Sequence, residues 1–293
     1  MTVDIGMRVI NAYISLIKMP ISFLGKRRHD IFLSHISEKI APIVTTKTSD
    51  GEIKFYCSGV LPEFRARTLL TKEPDTIKWI DAFSAGDIFW DIGANIGCYT
   101  LYAASRGIQT FAFEPNASNY SICCKNIIIN KFTETATAYC IAFSEKNELS
   151  YLNLSTLEQG GAVAMFGKES DAITISGEGH EFHYRQGAIG YSIDAFVSQN
   201  SEIFPNHIKI DVDGIEDKIL AGGTNTLKDD RLKSVLIEID ESNIKQKKLI
   251  LQAMSDANFS STTERPVPFP NNTYHGDVRN YIFIKNSARL NKI

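Results

Sequence analysis

The chain has no uninterrupted apolar run of the roughly 18 residues that a membrane-spanning helix needs. Its charges nearly balance, with 31 Lys and Arg against 34 Asp and Glu, so the composition gives no sign of a nucleic-acid partner. The five cysteines have neither metal nor redox spacing, and an odd number argues against a disulfide framework. We therefore expect a cytoplasmic protein that does not bind nucleic acid.

Length and composition suggest an ordinary globular protein with an N-terminal addition. The 293 residues are 43% hydrophobic and 22% charged, which is enough for one large domain with an appendage. We divide the chain into an appendage of helices and short strands (residues 1–85) and a main domain (residues 86–293). The oligomeric state stays open.

The N-terminus carries an apolar stretch, residues 7–24, which is followed by Lys26, Arg27 and Arg28. Apolar residues before basic ones are the reverse of a secretory signal. Two interpretations remain: weak contact with an anionic membrane surface, or a helix that packs on the domain and is interrupted by Pro20.

The most informative stretch is Asp91-Ile92-Gly93-Ala94-Asn95-Ile96-Gly97. It follows a short apolar run and precedes a helix-like segment, as in the first turn of a nucleotide-binding βαβ unit. Glycines permit a tight turn and close approach to a ligand, and the helix start offers N–H groups. Glu114 follows the next predicted strand, where an acidic residue can bind both hydroxyls of a ribose.

The loop departs from the G-x-G-x-x-G pattern of dinucleotide sites because Asn95 stands where glycine is required. Asp91 would also repel a pyrophosphate, whereas it suits a ligand with an ammonium or sulfonium group. This pattern is similar to the first motif of S-adenosylmethionine (SAM) methyltransferases.

From residue 86 the sequence alternates between strand and helix patterns, which predicts a Rossmann-like α/β sheet with helices on both faces. We expect the sheet to be mostly parallel, with an antiparallel last strand at 280–285. Predicted elements include a strand at 135–143, a strand at 207–212 and a helix at 215–227 closed by Gly222-Gly223. The glycine-rich segment 144–206 predicts an insertion of β-hairpins, including 172–175, at the substrate site; a decorative insertion is the alternative.

The strand at 207–212 carries unusual charges for a central strand. Lys209, Asp211 and Asp213 alternate with apolar residues, so they share one face and require partners or a ligand. Two structural alternatives are an ion pair between Lys209 and Asp211 and a helix-capping role for Asp213 with Glu216.

Together these motifs resemble the FkbM-type SAM-dependent methyltransferases over residues 86–285. The segments that carry the resemblance are 91–97, 113–116, 192–194, 208–214, Glu216 and 237–239, with 72–80 upstream. Asp213 departs from the pattern, since many members have glutamate there. The resemblance implies a small-molecule or glycan acceptor, with O-methylation of a hydroxyl on a sugar or natural-product skeleton. It also implies a SAM site made by Asp91, Gly93, Ala94, Asn95, Gly97, Glu114 and Asn116.

An alcohol acceptor must lose its proton as the methyl group is transferred. Asp211 is the first candidate base, and Lys209 is the second if burial lowers its pKa. Asp213, Glu238 and Asp240 are candidates for binding the substrate, although ordinary loop polarity would also explain Glu238 and Asp240.

The sequence shows no complete set of metal ligands, so no metal site is expected; a divalent ion held by Asp211, Asp213 and the substrate stays an open alternative. His180 and His183 would point to opposite faces of a hairpin and therefore not converge on one ion. Two other functions remain open: an NAD(P)-dependent oxidoreductase on a similar sheet, and a catalytically silent methyltransferase fold that serves as a binding module.

Overall fold

The structure is a computed structural model, and it describes residues 11–15, 25–162, 164–167, 182–262 and 278–287. By its contacts the chain divides into two units, residues 1–42 and 43–293. The first unit contains a helical segment at residues 11–15 and helix α1 (Lys26–Ile40). Most of the apolar stretch 7–24 lies outside the described residues. No helix in the described part of the chain is long and apolar enough to cross a membrane.

Residues 43–81 form a hairpin followed by two helices within the second unit. Strands β1 (Ile43–Thr48) and β2 (Gly51–Tyr56) pair antiparallel, and helices α2 (Val60–Thr68) and α3 (Pro74–Asp81) follow. Pro74 suits the first turn of α3 because that position has no helical acceptor for an N–H group. The predicted division of domains after residue 85 stays a prediction.

The main sheet contains seven strands within the described residues. They are β3 (Ile88–Ile92), β4 (Gln109–Phe113), β5 (Ala136–Tyr139), β10 (His207–Ile210), β11 (Ser234–Asp240), β12 (Phe259–Ser261) and β13 (Val278–Lys285). Their spatial order is β12-β13-β11-β10-β3-β4-β5. β13 pairs antiparallel with both of its neighbours, and the other pairs are parallel. The predicted fold class, including the antiparallel last strand, is confirmed.

Helices cover both faces of this sheet. They are α4 (Cys98–Ser105), α5 (Ala117–Ile129), α6 (Ile193–Gln199), α7 (Glu216–Ala221), α8 (Thr224–Lys228) and α9 (Ile244–Asp256). Successive residues of β3 point to opposite faces, so Phe89 and Trp90 lie in two different apolar clusters. The Phe89 cluster joins the sheet to the hairpin, α3, α4 and α5. The Trp90 cluster joins it to the insertion, α7 and α9.

The insertion forms a second sheet. Its strands β6 (Ala142–Phe143), β7 (Glu148–Leu154), β8 (Ala164–Phe166) and β9 (Tyr184–Tyr191) lie in the order β6-β9-β7-β8. β7 pairs antiparallel with β8 and β9, as the hairpin prediction requires, whereas residues 193–199 form an α-helix and residues 201–203 a short 3-10 helix. The predicted strand 172–175 and His180 lie outside the described residues.

Three predicted boundaries were wrong. The strand expected at 135–143 is split between the two sheets as β5 and β6, and β10 ends at Ile210. The helix expected at 215–227 is broken at its glycine pair into α7 and α8. A Cβ on Gly222 would lie 2.3 Å from the Ser144 carbonyl oxygen, so this glycine permits close packing against the insertion.

Candidate active site

The loop 93–97 joins β3 to α4 at the carboxyl end of the sheet. Gly93, Asn95 and Gly97 have φ angles of 84°, 51° and 84°, in the left-handed region. A Cβ on Gly93 would lie 1.9 Å from the carbonyl oxygen of Asp211. A side chain at Gly93 would therefore collide with the backbone that follows β10.

The backbone N–H groups of residues 93–97 all donate hydrogen bonds inside the protein. Their acceptors are the Phe113 carbonyl (2.9 and 3.2 Å), Glu114 Oε2 (2.7 Å), Asn95 Oδ1 (3.0 Å) and the Ala94 carbonyl (2.8 Å). The loop itself therefore has no unpaired N–H group, whereas the expectation that the start of α4 offers N–H groups to a ligand stays a prediction. A pyrophosphate, which needs such donors, would find none on this loop.

Asp91 lies beneath the loop and is only 1% exposed. Its Oδ2 atom accepts hydrogen bonds from the backbone N–H (3.0 Å) and hydroxyl (2.6 Å) of Thr100. Its Oδ1 atom has no partner among the described residues. Burial raises the pKa of this carboxyl group despite the opposing charge of Lys209. Such a buried acceptor is costly unless a ligand donates to it.

Glu114 follows β4 and holds the ends of two loops. Its carboxylate accepts one hydrogen bond from the N–H of Asn95 (2.7 Å) and one from the N–H of Asn116 (2.8 Å). Burial outweighs these bonds and raises the pKa of Glu114 to about 7. Each oxygen keeps a lone pair for a further donor. The Asn116 side chain caps α5 by accepting from the N–H of Ser118 (2.9 Å), so cofactor contact by this side chain stays a prediction.

Lys209 and Asp211 form an ion pair at the end of β10, and Lys209 is 1% exposed. Burial alone would lower the pKa of Lys209, but Asp211, Glu73 and Asp91 raise it well above its usual value. Lys209 was a candidate base only if burial lowered its pKa, and the raised pKa does not meet that condition. Burial would raise the pKa of Asp211, but Lys209 and Lys72 lower it to about 2, which makes Asp211 a weak proton acceptor.

Glu238 lies beside this pair on the neighbouring strand. The parallel register aligns Ile210 with Ile237, so Asp211 and Glu238 both come next at the carboxyl ends of β10 and β11. Burial, followed by the negative charges of Asp211 and Glu73, raises the pKa of Glu238 well above its usual range.

Asp213 and Asp240 already have partners in the protein. Asp213 accepts from the N–H of Ala164 (2.7 Å), which connects β10 to the insertion. The capping alternative for Asp213 is wrong, since α7 begins at Glu216 with Ile215 as its cap residue. Asp240 accepts from the N–H (2.9 Å) and hydroxyl (2.6 Å) of Ser242 in a turn. Contact of either residue with an acceptor stays a prediction.

Sequence reasoning missed the residues that α2 and α3 bring to the site. A cleft at the loop is lined by Arg65, Thr68, Leu69, Lys72, Glu73, Gly93, Ala94, Asn95, Cys98, Tyr99, Lys209 and Asp211. Glu73 is buried and accepts hydrogen bonds from Thr76 (3.0 Å) and Asn280 (2.9 Å). The only signal for this region was the resemblance of residues 72–80 to a family segment.

The insertion covers the glycine loop. The carbonyl oxygen of Gly161 accepts from the side-chain amides of Asn95 (2.9 Å) and Asn119 (3.2 Å), and that of Gly160 accepts from Arg65 Nε (2.7 Å). This part of the insertion therefore borders the predicted cofactor loop, and its contact with the substrate stays a prediction. Across the described ranges, no group of three or more His, Cys, Asp or Glu side chains is arranged to hold a metal ion.

A mostly parallel sheet with an antiparallel last strand, a glycine loop after β3 and an acidic residue after β4 has the architecture of a Rossmann-like methyltransferase fold. The sequence profile of the methyltransferase FkbM domain matches residues 91–288. The chain therefore belongs to the FkbM family of SAM-dependent methyltransferases.

Three known proteins illustrate the similarity. The chain is 27% identical over 188 residues to hexuronic acid methyltransferase AglP of Haloferax volcanii, covering 64% of this chain and 70% of that protein. The solved structure of methyltransferase FkbM from Methylobacillus flagellatus KT aligns with a TM-score of 0.46 and 13% identity, covering 69% of this chain but only 44% of that one. Magnesium protoporphyrin IX methyltransferase (ChlM) from Synechocystis PCC 6803, solved with bound SAM, gives a TM-score of 0.44 and 11% identity, covering 78% and 85% of the two chains.

Proposed function

We propose that the protein binds SAM and methylates an oxygen atom, in a hydroxyl group of a sugar or natural-product-like acceptor. The observation that carries this proposal is the pair of buried carboxylates, Asp91 and Glu114, that flank the loop 93–97. Family membership supports the reaction class. The similarity to a protein named as a hexuronic acid methyltransferase supports a sugar-like acceptor.

The cofactor part of the site is complementary to a ligand rich in hydrogen-bond donors. Asp91 Oδ1 has no partner among the described residues and would accept from an ammonium group. Glu114 has lone pairs that would accept from the two ribose hydroxyls. A pyrophosphate offers only acceptors, which would leave Asp91 unsatisfied, so the oxidoreductase alternative fits this site poorly.

SAM, when bound, supplies a methyl group already activated by its sulfonium, so the protein has to align the acceptor oxygen and exclude water. We assign the alignment to Asp211, whose ionised carboxylate would accept a hydrogen bond from the acceptor hydroxyl. Lys209 holds Asp211 in place through their ion pair. We assign the proton to Glu238, which lies next to Asp211 across the paired strands and whose raised pKa makes it a stronger proton acceptor than Asp211.

Two measurements test the proposal. Titration calorimetry with SAM, S-adenosylhomocysteine (SAH) and NAD on the same preparation should give heat for the first two and none for NAD. Transfer of labelled methyl groups from SAM to a panel of mono- and oligosaccharides, both neutral and acidic, should then label an oxygen atom. Binding of NAD without SAM would contradict the cofactor assignment. Tight SAM binding without transfer to any acceptor would favour the silent binding module instead.

A further inference from the structure

Arg65 is a cation of the site that forms no ion pair with a carboxylate of the described residues. It lies on α2 and lines the cleft together with the loop residues Gly93 and Asn95. Lys209, the buried cation opposite, is paired with Asp211, and Lys72 is paired with Glu73 (3.2 Å).

The guanidinium of Arg65 is oriented by a single hydrogen bond. Nε donates to the Gly160 carbonyl oxygen at 2.7 Å, and the terminal nitrogens donate to no side chain or backbone group of the described residues. Glu63, the acidic residue on the same helix, pairs with Arg67 instead. A planar guanidinium held at Nε presents its two remaining nitrogens as a fork that matches a carboxylate.

The positive charge of Arg65 acts on titratable groups at the centre of the site. Burial raises the pKa of the Cys98 thiol to about 12, and Arg65 is the largest of the charges that oppose this. Burial likewise raises the pKa of Glu114, and Arg65 is the cation that lowers it. Within the described part of the chain, Arg65 forms an ion pair with neither Glu114 nor Asp211. Glu114 accepts hydrogen bonds from backbone N–H groups instead, and Asp211 is paired with Lys209.

We propose that Arg65 binds a ligand carboxylate in this site. The inference builds on the proposed function, which offers two sources of that group. One is the amino-acid carboxylate of the cofactor, whose ammonium would face Asp91 Oδ1. The other is the carboxylate of an acidic sugar acceptor. The same guanidinium fork suits both.

The decisive variant is Arg65→Gln, which keeps a donor for the Gly160 carbonyl but removes the charge. Arg67→Gln is the matched control, because Arg67 is exposed on the same helix and paired with Glu63. Calorimetry would compare the binding of SAH with that of 5′-methylthioadenosine, which lacks the amino-acid group. A second titration, on SAH-saturated protein, would compare glucuronic acid with glucose.

If the carboxylate belongs to the cofactor, Arg65→Gln weakens SAH binding by roughly 10- to 100-fold and leaves methylthioadenosine binding unchanged. If it belongs to the acceptor, SAH binding is unchanged and the preference for glucuronic acid over glucose is lost. The inference is overturned if wild type, Arg65→Gln and Arg67→Gln bind all four ligands alike. A wild-type protein that does not bind SAH would instead contradict the proposed function.

Discussion

The backbone N–H of Asn95 donates to the Glu114 carboxylate at 2.7 Å, so the glycine loop and the acidic residue after the next strand hold each other in place. The same carboxylate accepts from the N–H of Asn116 at the start of α5. One buried acid thus fixes two loops at the carboxyl ends of β3 and β4. In the proposed function it also binds the ribose, so its protonation should control cofactor affinity.

The first prediction concerns pH. Glu114 has a pKa of about 7, and only its ionised form accepts hydrogen bonds at both oxygens. SAH affinity should therefore rise with pH through neutrality, with a slope that approaches about tenfold per pH unit on the acid side. Calorimetry between pH 5.5 and 8.5 measures this slope. Asp91 also has a raised pKa and could cause the same pH dependence, so the titration is repeated with Glu114→Gln. An unchanged slope in that variant would show that Glu114 is not the group that titrates.

A second prediction separates the two costs of a side chain at Gly93. Gly86 has a similar φ of 85° but open space around a Cβ, whereas a Cβ on Gly93 would meet the Asp211 carbonyl oxygen at 1.9 Å. Gly86→Ala should cost about 1–2 kcal/mol of unfolding free energy from backbone strain alone. Gly93→Ala should cost clearly more, because β10 or the loop must also move. Urea denaturation compares the two variants, and equal losses would mean that the close approach contributes nothing.

The third prediction concerns Lys209, the shared counter-charge for Asp211, Glu73 and Asp91. Lys209→Met should lose about 3–5 kcal/mol of unfolding free energy at pH 7, because those carboxylates stay buried without their cation. Their pKa values would then rise, so part of the loss should be recovered as the pH falls from 7 toward 5.

Lys285→Met is the control for this experiment. Lys285 is as buried as Lys209, but it donates to the carbonyl oxygen of Leu227 rather than to a carboxylate. Its loss should therefore not be recovered at low pH. A similar recovery in both variants, measured by urea denaturation, would contradict the role of Lys209 as a shared counter-charge.

The fourth prediction assigns the proton acceptor. If Glu238 is the base, Glu238→Gln should lower turnover by roughly 10²- to 10⁴-fold. The raised pKa of Glu238 also predicts that the rate of wild type increases with pH above the usual carboxyl range, and Glu238→Gln should lose this dependence. Asp211→Asn should keep a pH dependence but move it to lower pH, because the pKa of Asp211 is only about 2 and its negative charge helps to raise the pKa of Glu238. Loss of the dependence in Asp211→Asn alone would return the role of base to Asp211.

Local patterns predicted the sheet and the loop of the site well. The glycine loop, Glu114 and the charged end of β10 lie at neighbouring carboxyl ends of strands because a parallel sheet brings them there. The prediction of one helix over 215–227 was wrong because the sequence does not show why the glycine pair is there. A glycine that ends a helix and a glycine that packs closely, as Gly222 does against Ser144, give the same sequence pattern. Such close packing depends on residues distant in sequence.

Other features of the site had no local signal. Arg65 and Glu73 reach the cleft through the packing of α2 and α3, which periodicity does not specify. The pKa of Lys209 depends on whether burial or three carboxylates dominate, and that balance requires their positions. The sequence predicted charged side chains on a central strand, but it did not distinguish which of them is suited to be the general base.

The central claim is that Glu114 and the loop beside it bind the adenosine cofactor, and calorimetric titration of SAH into Glu114→Ala tests it most directly. The control is Glu216→Gln, which alters another buried carboxyl group with a raised pKa, one that accepts instead from Gly214 and Gln246. The proposal predicts that Glu114→Ala loses about 1.5–3 kcal/mol of SAH binding free energy while Glu216→Gln binds as wild type does. Wild-type affinity in a folded Glu114→Ala protein would contradict it.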